Sequence, residues 1–195
     1  MRFYLSKILF LFLIIVKPTF ADEWHVKKDA KNLVKFTSTT TVLDFDGTTN
    51  NIDGYFYWDG KEIFTGKNEI YFEVDLNTVK TGIGKRDRDM REDVLETKKW
   101  PTTYFKGSIT EFNKNGNKYS VKVIGKMFIH GVEKEIIIPG EIKIENGIMN
   151  IQTKFSVYLK DFNIEAPSLL AFIKVSQEIK LDLNFNLEQT KENNK

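Results

Sequence analysis

The chain has 195 residues, the length of a single domain, and its 29 Lys and Arg nearly balance its 27 Asp and Glu. No basic stripe stands out, so the sequence argues against nucleic-acid binding. The absence of cysteine excludes thiolate metal sites and thiol nucleophiles, and two histidines are too few for a typical zinc enzyme. We therefore expect neither a metal nor another cofactor.

The first 21 residues have the pattern of a secretory signal peptide. Basic residues at positions 2 and 7 precede an apolar run from Ile8 to Val16, and Thr19 and Ala21 supply small side chains. This run is much shorter than the roughly 20 apolar residues of a membrane-spanning helix. We predict cleavage after Ala21 and a periplasmic or secreted protein. Its mature chain would be nearly neutral after the loss of three basic residues, with no transmembrane segment.

Residues 22–188 form the predicted folded domain, and alternating apolar and polar residues dominate it. Such alternation is the pattern of half-buried β-strands. In chain order the alternating runs cover 34–38, 52–58, 70–76, 103–112, 119–129, 136–144, 149–159 and 179–187. About eight strands of this kind favour a closed antiparallel barrel, because closure leaves no exposed strand edge; a two-sheet sandwich is the alternative.

Turns, a kink and one helix complete the predicted elements. Three glycine-containing pairs mark hairpin turns: Asp59-Gly60, Asn115-Gly116 and Asn146-Gly147. Pro139-Gly140 predicts a bulge or kink inside the run 136–144. The charged segment from Lys85 to Lys99 predicts a short helix that ends before Trp100-Pro101, and the polar tail 189–195 is expected to fray.

Ionisable groups are most concentrated in the segment 86–93, which we interpret as a solvated helix face with mutual ion pairs. Arg86 and Asp87 are the exception. A pair placed shortly after Gly82 and Gly84 could pin the loop to the barrel or face an anionic head group. His130 lies in a predicted turn between two strands, where we expect hydrogen bonds to local backbone. Metal binding or catalysis by this histidine is the less favoured interpretation.

The apolar interior is the remaining feature. An eight-stranded barrel is just wide enough to be filled by side chains or to hold one slender ligand, and alternation alone does not distinguish these cases. The candidate lining residues are Phe36, Phe56, Trp58, Phe72, Val74, Phe105, Val123, Met127, Phe155, Val157, Leu183 and Phe185. The connection 166–173 is more apolar than a solvated loop needs, so we interpret it as a plug for one barrel end, with a lipid gate as the alternative.

Four segments resemble the YceI-like family: VDLNTVKTG at 74–82, RDRDM at 86–90, WPTTYF at 100–105 and VIGKMFIHGVEK at 123–134. Their order and spacing extend the resemblance over about residues 24–187. Members of this family are exported, lipocalin-like β-barrels, some of which hold a polyisoprenoid or other long-chain lipid. The resemblance therefore implies an all-β, lipocalin-like antiparallel β-barrel of about eight strands with one short helix. It also implies a long-chain lipid or isoprenoid as the ligand.

These features together predict an exported lipid-binding protein that is not an enzyme. Its ligand would lie against the apolar lining set, with Arg86 and Asp87 near the opening of the barrel. One alternative is an enzyme that acts on a small hydrophobic substrate through Arg86, Asp87 or His130. Another is a packed barrel that binds a protein partner through the apolar segment 169–173. The sequence also leaves a homodimer open.

Overall fold

Strands account for most of the computed structural model, which describes residues 22–170 and 173–190. The strands are β1 (Asp22–Val26), β2 (Leu33–Thr40), β3 (Asp44–Thr49), β4 (Ile52–Trp58), β5 (Asn68–Asp75), β6 (Thr102–Asn115), β7 (Lys118–Ile129), β8 (Val132–Glu145), β9 (Ile148–Tyr158), β10 (Ser168–Leu170) and β11 (Ile173–Gln189). Helix α1 (Gly84–Asp89) continues into a π-helical turn, Met90–Val94, and 3₁₀ turns cover Leu76–Thr78 and Leu159–Phe162.

Eight of these strands form a closed antiparallel barrel in the order β1-β4-β5-β6-β7-β8-β9-β11. The ring closes because the end of β11 pairs with β1, where Trp24 lies opposite Gln189. The hairpin β2–β3 extends the wall beyond β1, since β2 pairs with β11 from Val175 to Asn184. The predicted all-β barrel of about eight strands with one short helix is confirmed, and the sandwich is excluded.

The alternating apolar and polar residues of the sequence correspond to the inner and outer faces of the barrel wall. Along β4, Ile52, Phe56 and Trp58 point inward and are buried, and β5 repeats the pattern. Burying a side chain of this kind contributes about 1.5–3 kcal/mol. A slip of one residue would turn the whole apolar face to solvent, so burial also fixes the register of each strand.

Aromatic side chains close one end of the barrel, which we call the floor. The loop 59–67 between β4 and β5 turns Phe64 into the barrel. The Phe64 ring centroid lies 5.2 Å from that of Phe56, 5.6 Å from that of Trp58 and 5.1 Å from that of Tyr119. Aromatic pairs at such distances pack closely, so the floor is a filled core.

The predicted hairpin turns have different outcomes. Asn115-Gly116 and Asn146-Gly147 join β6 to β7 and β8 to β9 as expected, and both residues of the second pair have positive φ. At Asp59-Gly60 the structure has a longer loop instead of a tight turn. The Asp59 carboxylate accepts a hydrogen bond from Lys67 N at 2.7 Å, which closes the loop across its base.

The bulge predicted at Pro139-Gly140 is absent from the pairing of β8 with β7. Both residues pair in register with β7, whereas β6 shifts register against β7 between Ile109 and Glu111. The proline fits because β8 pairs with β9 only from Glu141 onward. Thr153 Oγ1 of β9 donates to the Pro139 carbonyl at 2.6 Å, so the N and O of Pro139 face this unpaired edge. No ladder bond is lost there to the missing N–H.

The predicted helix is present and short. After α1, Leu95 N donates to Met90 O at 2.9 Å, a spacing that widens the last turn. The helical turns end at Val94, short of the predicted end at Lys99. Trp100 N donates to Glu96 O at 2.9 Å in a separate turn before Pro101. Within the described ranges, none of the helices has the length and apolarity needed to cross a membrane.

Some predictions for the ends and for one connection fall outside the described residues. The signal peptide 1–21 is one of them, and β1 begins directly after it at Asp22. At the other end β11 continues to Gln189, so the predicted tail starts inside the last strand, and 191–195 lie outside the description. In the connection 166–173, Ser168–Leu170 form β10 against β11, whereas 171–172 are not described.

Candidate ligand-binding cavity

An apolar cavity of about 930 Å³ occupies the barrel between the aromatic floor and helix α1. This volume is near the upper end of the roughly 300–1,000 Å³ that is usual for small-molecule sites. The walls come from the inward faces of the strands. Helix α1, its π-helical turn and the segment after β9 surround the opposite end, which we call the mouth. A barrel closed at one end can hold an elongated ligand lengthwise.

Most of the lining residues predicted from the sequence meet at this cavity. Those that line it are Phe36, Phe72, Val74, Arg86, Phe105, Val123, Met127, Phe155, Val157, Leu183 and Phe185. Phe56 and Trp58 lie in the floor instead, with ring centroids 5.2 Å apart. Asp87 is buried on α1 and does not line the cavity.

The structure adds lining residues that the sequence analysis missed. Ile138 and Ile151 belong to the same alternating runs as the predicted set, so a longer list would have included them. Phe45 belongs to β3, which is too polar to be recognised as a wall strand. Phe162 and Ile164 follow β9 in and after a 3₁₀ turn, where no alternation marks the inward side.

Hydroxyl groups in the cavity wall are largely used by the fold itself. Thr103 Oγ1 donates to the Phe128 carbonyl at 2.6 Å, and Thr153 Oγ1 donates to the Pro139 carbonyl at the same distance. Ser38 Oγ is buried and has no hydrogen-bond partner among the described residues. The wall therefore offers mainly carbon surface, which suits binding through the burial of apolar area.

Charged side chains gather at the mouth, where α1 lies across the barrel. Lys85 and Asp89 form an ion pair one helical turn apart. The Arg86 guanidinium lies 4.3 Å from the ring centroid of Phe45, a cation–π contact. Arg86 Nε and Nη2 also donate to Thr81 Oγ1 at 2.8 Å and to Thr81 O at 2.9 Å. Arg86 thereby ties the helix both to β3 and to the loop after β5.

Asp87 completes this anchor from the buried side of α1. Its Oδ1 accepts a hydrogen bond from Thr81 N at 2.7 Å and another from the Thr81 hydroxyl. Burial alone would raise the pKa of Asp87, but the Thr81 hydrogen bonds and the nearby Arg91 and Arg86 charges lower it below its ordinary value. Asp87 is therefore ionised at neutral pH, and its contacts pin the loop after β5.

His130 lies in the β7–β8 turn and does not line the cavity. The turn has φ of 51° at His130 and 81° at Gly131, and a Cβ on Gly131 would lie 2.5 Å from the Trp100 ring. The sequence analysis expected local backbone partners for this histidine. Instead, His130 Nε2 lies 2.8 Å from the Glu96 carboxylate, and Nδ1 is buried without a partner among the described residues.

Fold and site define the class of protein: a small closed β-barrel with an apolar cavity that opens at one end. Among the described residues, no group of three or more His, Asp or Glu is placed to hold a metal ion. The chain belongs to the YceI-like family, because the YceI-like domain matches residues 24–187. This match confirms the resemblance seen in the sequence. No curated protein sequence matches the chain.

Solved structures share this fold. BcnA from Burkholderia cenocepacia is similar with a TM-score of 0.69 and 17% identity, over 83% of this chain and 98% of BcnA. A polyisoprenoid binding domain from Saccharophagus degradans, implicated in plant cell wall breakdown, gives 0.65 and 16%, over 86% and 98% of the two chains. The Campylobacter jejuni YCEI protein gives 0.57 and 18%, over 75% and 85%. At these identities the likeness shows the fold.

Proposed function

We propose that this protein binds a long-chain lipid, such as a polyisoprenoid, inside the barrel. The observation that carries the proposal is the cavity of about 930 Å³, whose wall is mainly carbon and which is closed at the floor. Each methylene buried there contributes about 0.8 kcal/mol, so a long apolar chain gains affinity without a charged contact. The similar domain from Saccharophagus degradans is described as polyisoprenoid binding, which supports this ligand class.

The catalytic candidates of the sequence, Arg86, Asp87 and His130, support binding over catalysis. Lys85 is paired with Asp89, and Arg86 and Asp87 hold the loop after β5. His130 lies outside the lining. An acid–base or nucleophilic step needs a group that is free to reach the substrate, whereas these groups maintain the structure around the mouth. We propose that the predicted residues which line the cavity contact the ligand.

We also propose that the protein is exported to the periplasm or the medium and that residues 1–21 are removed. Strand β1 begins at Asp22, directly after the predicted cleavage site. The Asp22 carboxylate accepts a hydrogen bond from the Gln189 side chain at 2.6 Å, so a chain cut after Ala21 keeps the whole barrel. The mass of the intact protein from the cell envelope should match a chain that starts at Asp22. A mass that includes residues 1–21 would refute the cleavage.

Lipid binding is tested by titrating the purified protein with a fluorescent polyisoprenoid dispersed in mild detergent. Val123 lies in the cavity wall on β7, so Val123→Trp places an indole where the ligand would lie. Its neighbour Ile124 lies outside the lining, and Ile124→Trp is the matched control. We expect saturable binding by the wild type and by Ile124→Trp. For Val123→Trp we expect the affinity to fall by a factor of about ten or more, a change of about 1.4 kcal/mol or more.

Two results of this titration would count against the proposed function. The first is an absence of saturable binding by the wild type. The second is an unchanged affinity of Val123→Trp, provided that circular dichroism shows a folded barrel. Either result would mean that the cavity is not the lipid site.

A further inference from the structure

Three apolar side chains project near the mouth, and we call Val42, Leu43 and Ile83 the apolar rim. Their exposed fractions are 67%, 58% and 54%. Among the side chains that the structure describes, which leave out those of 169–173, Ile137, at 58%, is the one other large apolar side chain that is more than half exposed. Exposed apolar surface is therefore concentrated at the end of the barrel where the cavity opens.

One residue of the apolar rim, Ile83, belongs to the edge of the cavity, and the other two precede a lining residue in sequence. Strand β2 runs toward the mouth and ends at Thr40, so Val42 and Leu43 form the tip of the β2–β3 hairpin. Phe45 follows two residues later and lines the cavity under α1. Ile83 lines the cavity and directly precedes α1. At Ile83, apolar surface thus extends from the cavity wall to the outside of the protein.

Hydrogen bonds stabilise the hairpin tip. Thr40 Oγ1 accepts from Val42 N at 3.2 Å and from Leu43 N at 3.1 Å, and it donates to Leu43 O at 2.7 Å. Turns are usually formed by Gly, Pro, Asn, Asp and Ser, so two aliphatic residues at an ordered tip are unusual. The turn therefore exposes both side chains to water, and both can enter an apolar phase together.

We propose that the apolar rim docks on the surface of a lipid bilayer, with the mouth of the barrel facing the membrane. This inference rests on the proposed function, since a long-chain lipid dissolves in a bilayer but scarcely in water. A protein partner fits the rim less well, because interface hot spots are enriched in Trp, Tyr and Arg, whereas Leu and Val are under-represented. Aliphatic side chains at the headgroup boundary bind by apolar burial.

Flotation of the purified protein with phosphatidylcholine vesicles tests the rim directly. The double variant Val42→Ser/Leu43→Ser removes the two tip side chains, neither of which lines the cavity. Ile137→Ser is the matched control, because Ile137 has the same 58% exposure as Leu43 but lies on the wall of β8. We expect the wild type and Ile137→Ser to float with the vesicles. The partition of the double variant into the vesicles should be weaker by a factor of about ten or more.

Lipid transfer separates this proposal from the proposed function. A fluorescent polyisoprenoid delivered in detergent should bind the wild type, the double variant and the Ile137→Ser control alike. Delivered in vesicles, it should reach the double variant about tenfold more slowly. A lack of binding in detergent by every protein would defeat the proposed function, and flotation alone would then decide the docking.

Three outcomes would overturn docking by the rim. One is equal flotation of all three proteins, and another is a loss of flotation by Ile137→Ser instead of the double variant. The third is a wild-type dimer that does not float and that the double substitution converts to a monomer. That outcome would assign the rim to a second copy of this chain.

Discussion

Arg86 and Asp87 show what a single pair of residues does at the mouth. Their position in the sequence, shortly after two glycines, suggested either an anchor for the loop or a contact for an anionic head group. Both side chains hydrogen-bond to Thr81, and Asp87 is buried, so the anchor is what the contacts show. The sequence identified the pair but not its partner, because Thr81 gives no signal of its own.

Replacing Asp87 by Asn should lower the free energy of unfolding by about 1.5 kcal/mol, because a hydrogen bond to a charged group contributes about 1.5–3 kcal/mol. The pKa of Asp87 lies below its ordinary value of 3.8. The ionised carboxylate therefore stabilises the fold above that pH, and this stability is lost as the pH falls through the lowered pKa. Denaturant unfolding at neutral and at acid pH measures both effects.

Asp89→Asn on the same helix is the control for this prediction. Asp89 is partly exposed and pairs with Lys85, and exposed pairs of this kind contribute about 0–1 kcal/mol. The difference between the wild type and Asp87→Asn should disappear in acid. A difference that stays constant at every pH would show that the charge of Asp87 does not stabilise the fold.

At the scale of elements, the loop 59–67 closes one end of the interior. The strands supply the wall, but the loop supplies Phe64, which fills the floor against the rings of Phe56, Trp58 and Tyr119. Phe64 has φ of 60°, a left-handed backbone conformation that is uncommon for a residue other than glycine and that the sequence does not predict here. Alternation therefore predicted the strands on either side and not the side chain that closes the barrel.

Phe64→Ala should lower the free energy of unfolding by about 3–5 kcal/mol, since it removes a buried ring and leaves a cavity. Its neighbour Ile63 is only partly buried at the edge of the core, so Ile63→Ala is the control and should cost less. Thermal or denaturant unfolding measures both changes. A loss below about 1 kcal/mol for Phe64→Ala would mean that the ring does not maintain the floor.

Neighbouring strands also carry a row of aromatic rings on the outer wall. Tyr55 and Tyr71 lie 5.8 Å apart, and Tyr104 stacks on Phe128 at 4.8 Å. Each tyrosine of this row donates its hydroxyl to a carboxylate, that of Glu69, Glu73 or Glu133. Cross-strand contacts of this kind stabilise the sheet from outside the core.

Alkaline titration tests this row. The hydrogen bond to Glu69 raises the pKa of Tyr55 to about 12, and burial with a hydrogen bond to Glu73 raises that of Tyr71 to about 12. The protonated phenols stabilise the fold below the ordinary pKa of 10.0, and this stability is lost as the pH rises toward about 12. We expect Glu69→Gln to return the pKa of Tyr55 toward 10.0, with Tyr71 as the internal control. An unchanged tyrosinate absorbance curve would contradict this.

For the whole molecule, the sequence predicted the barrel but not whether the barrel holds a cavity. Alternation in runs such as 52–58 and 70–76 predicts the individual strands, and the resemblance to the YceI-like family favoured a barrel over a sandwich. The volume of the cavity is the difference between the volume that the wall encloses and the volume of the side chains that point into it. That difference depends on Phe64 below and Phe162 above, which come from a loop and a turn without alternation.

The central claim is that the cavity holds a long-chain lipid, and native mass spectrometry of protein purified without detergent tests it most directly. We predict a wild-type adduct that organic solvent extracts and whose mass identifies a long-chain lipid such as a polyisoprenoid. We predict a much smaller fraction of this adduct on Val123→Trp, because the indole occupies the cavity wall. Repeated recovery of ligand-free wild type, or an equal fraction of the adduct on Val123→Trp, would contradict the claim.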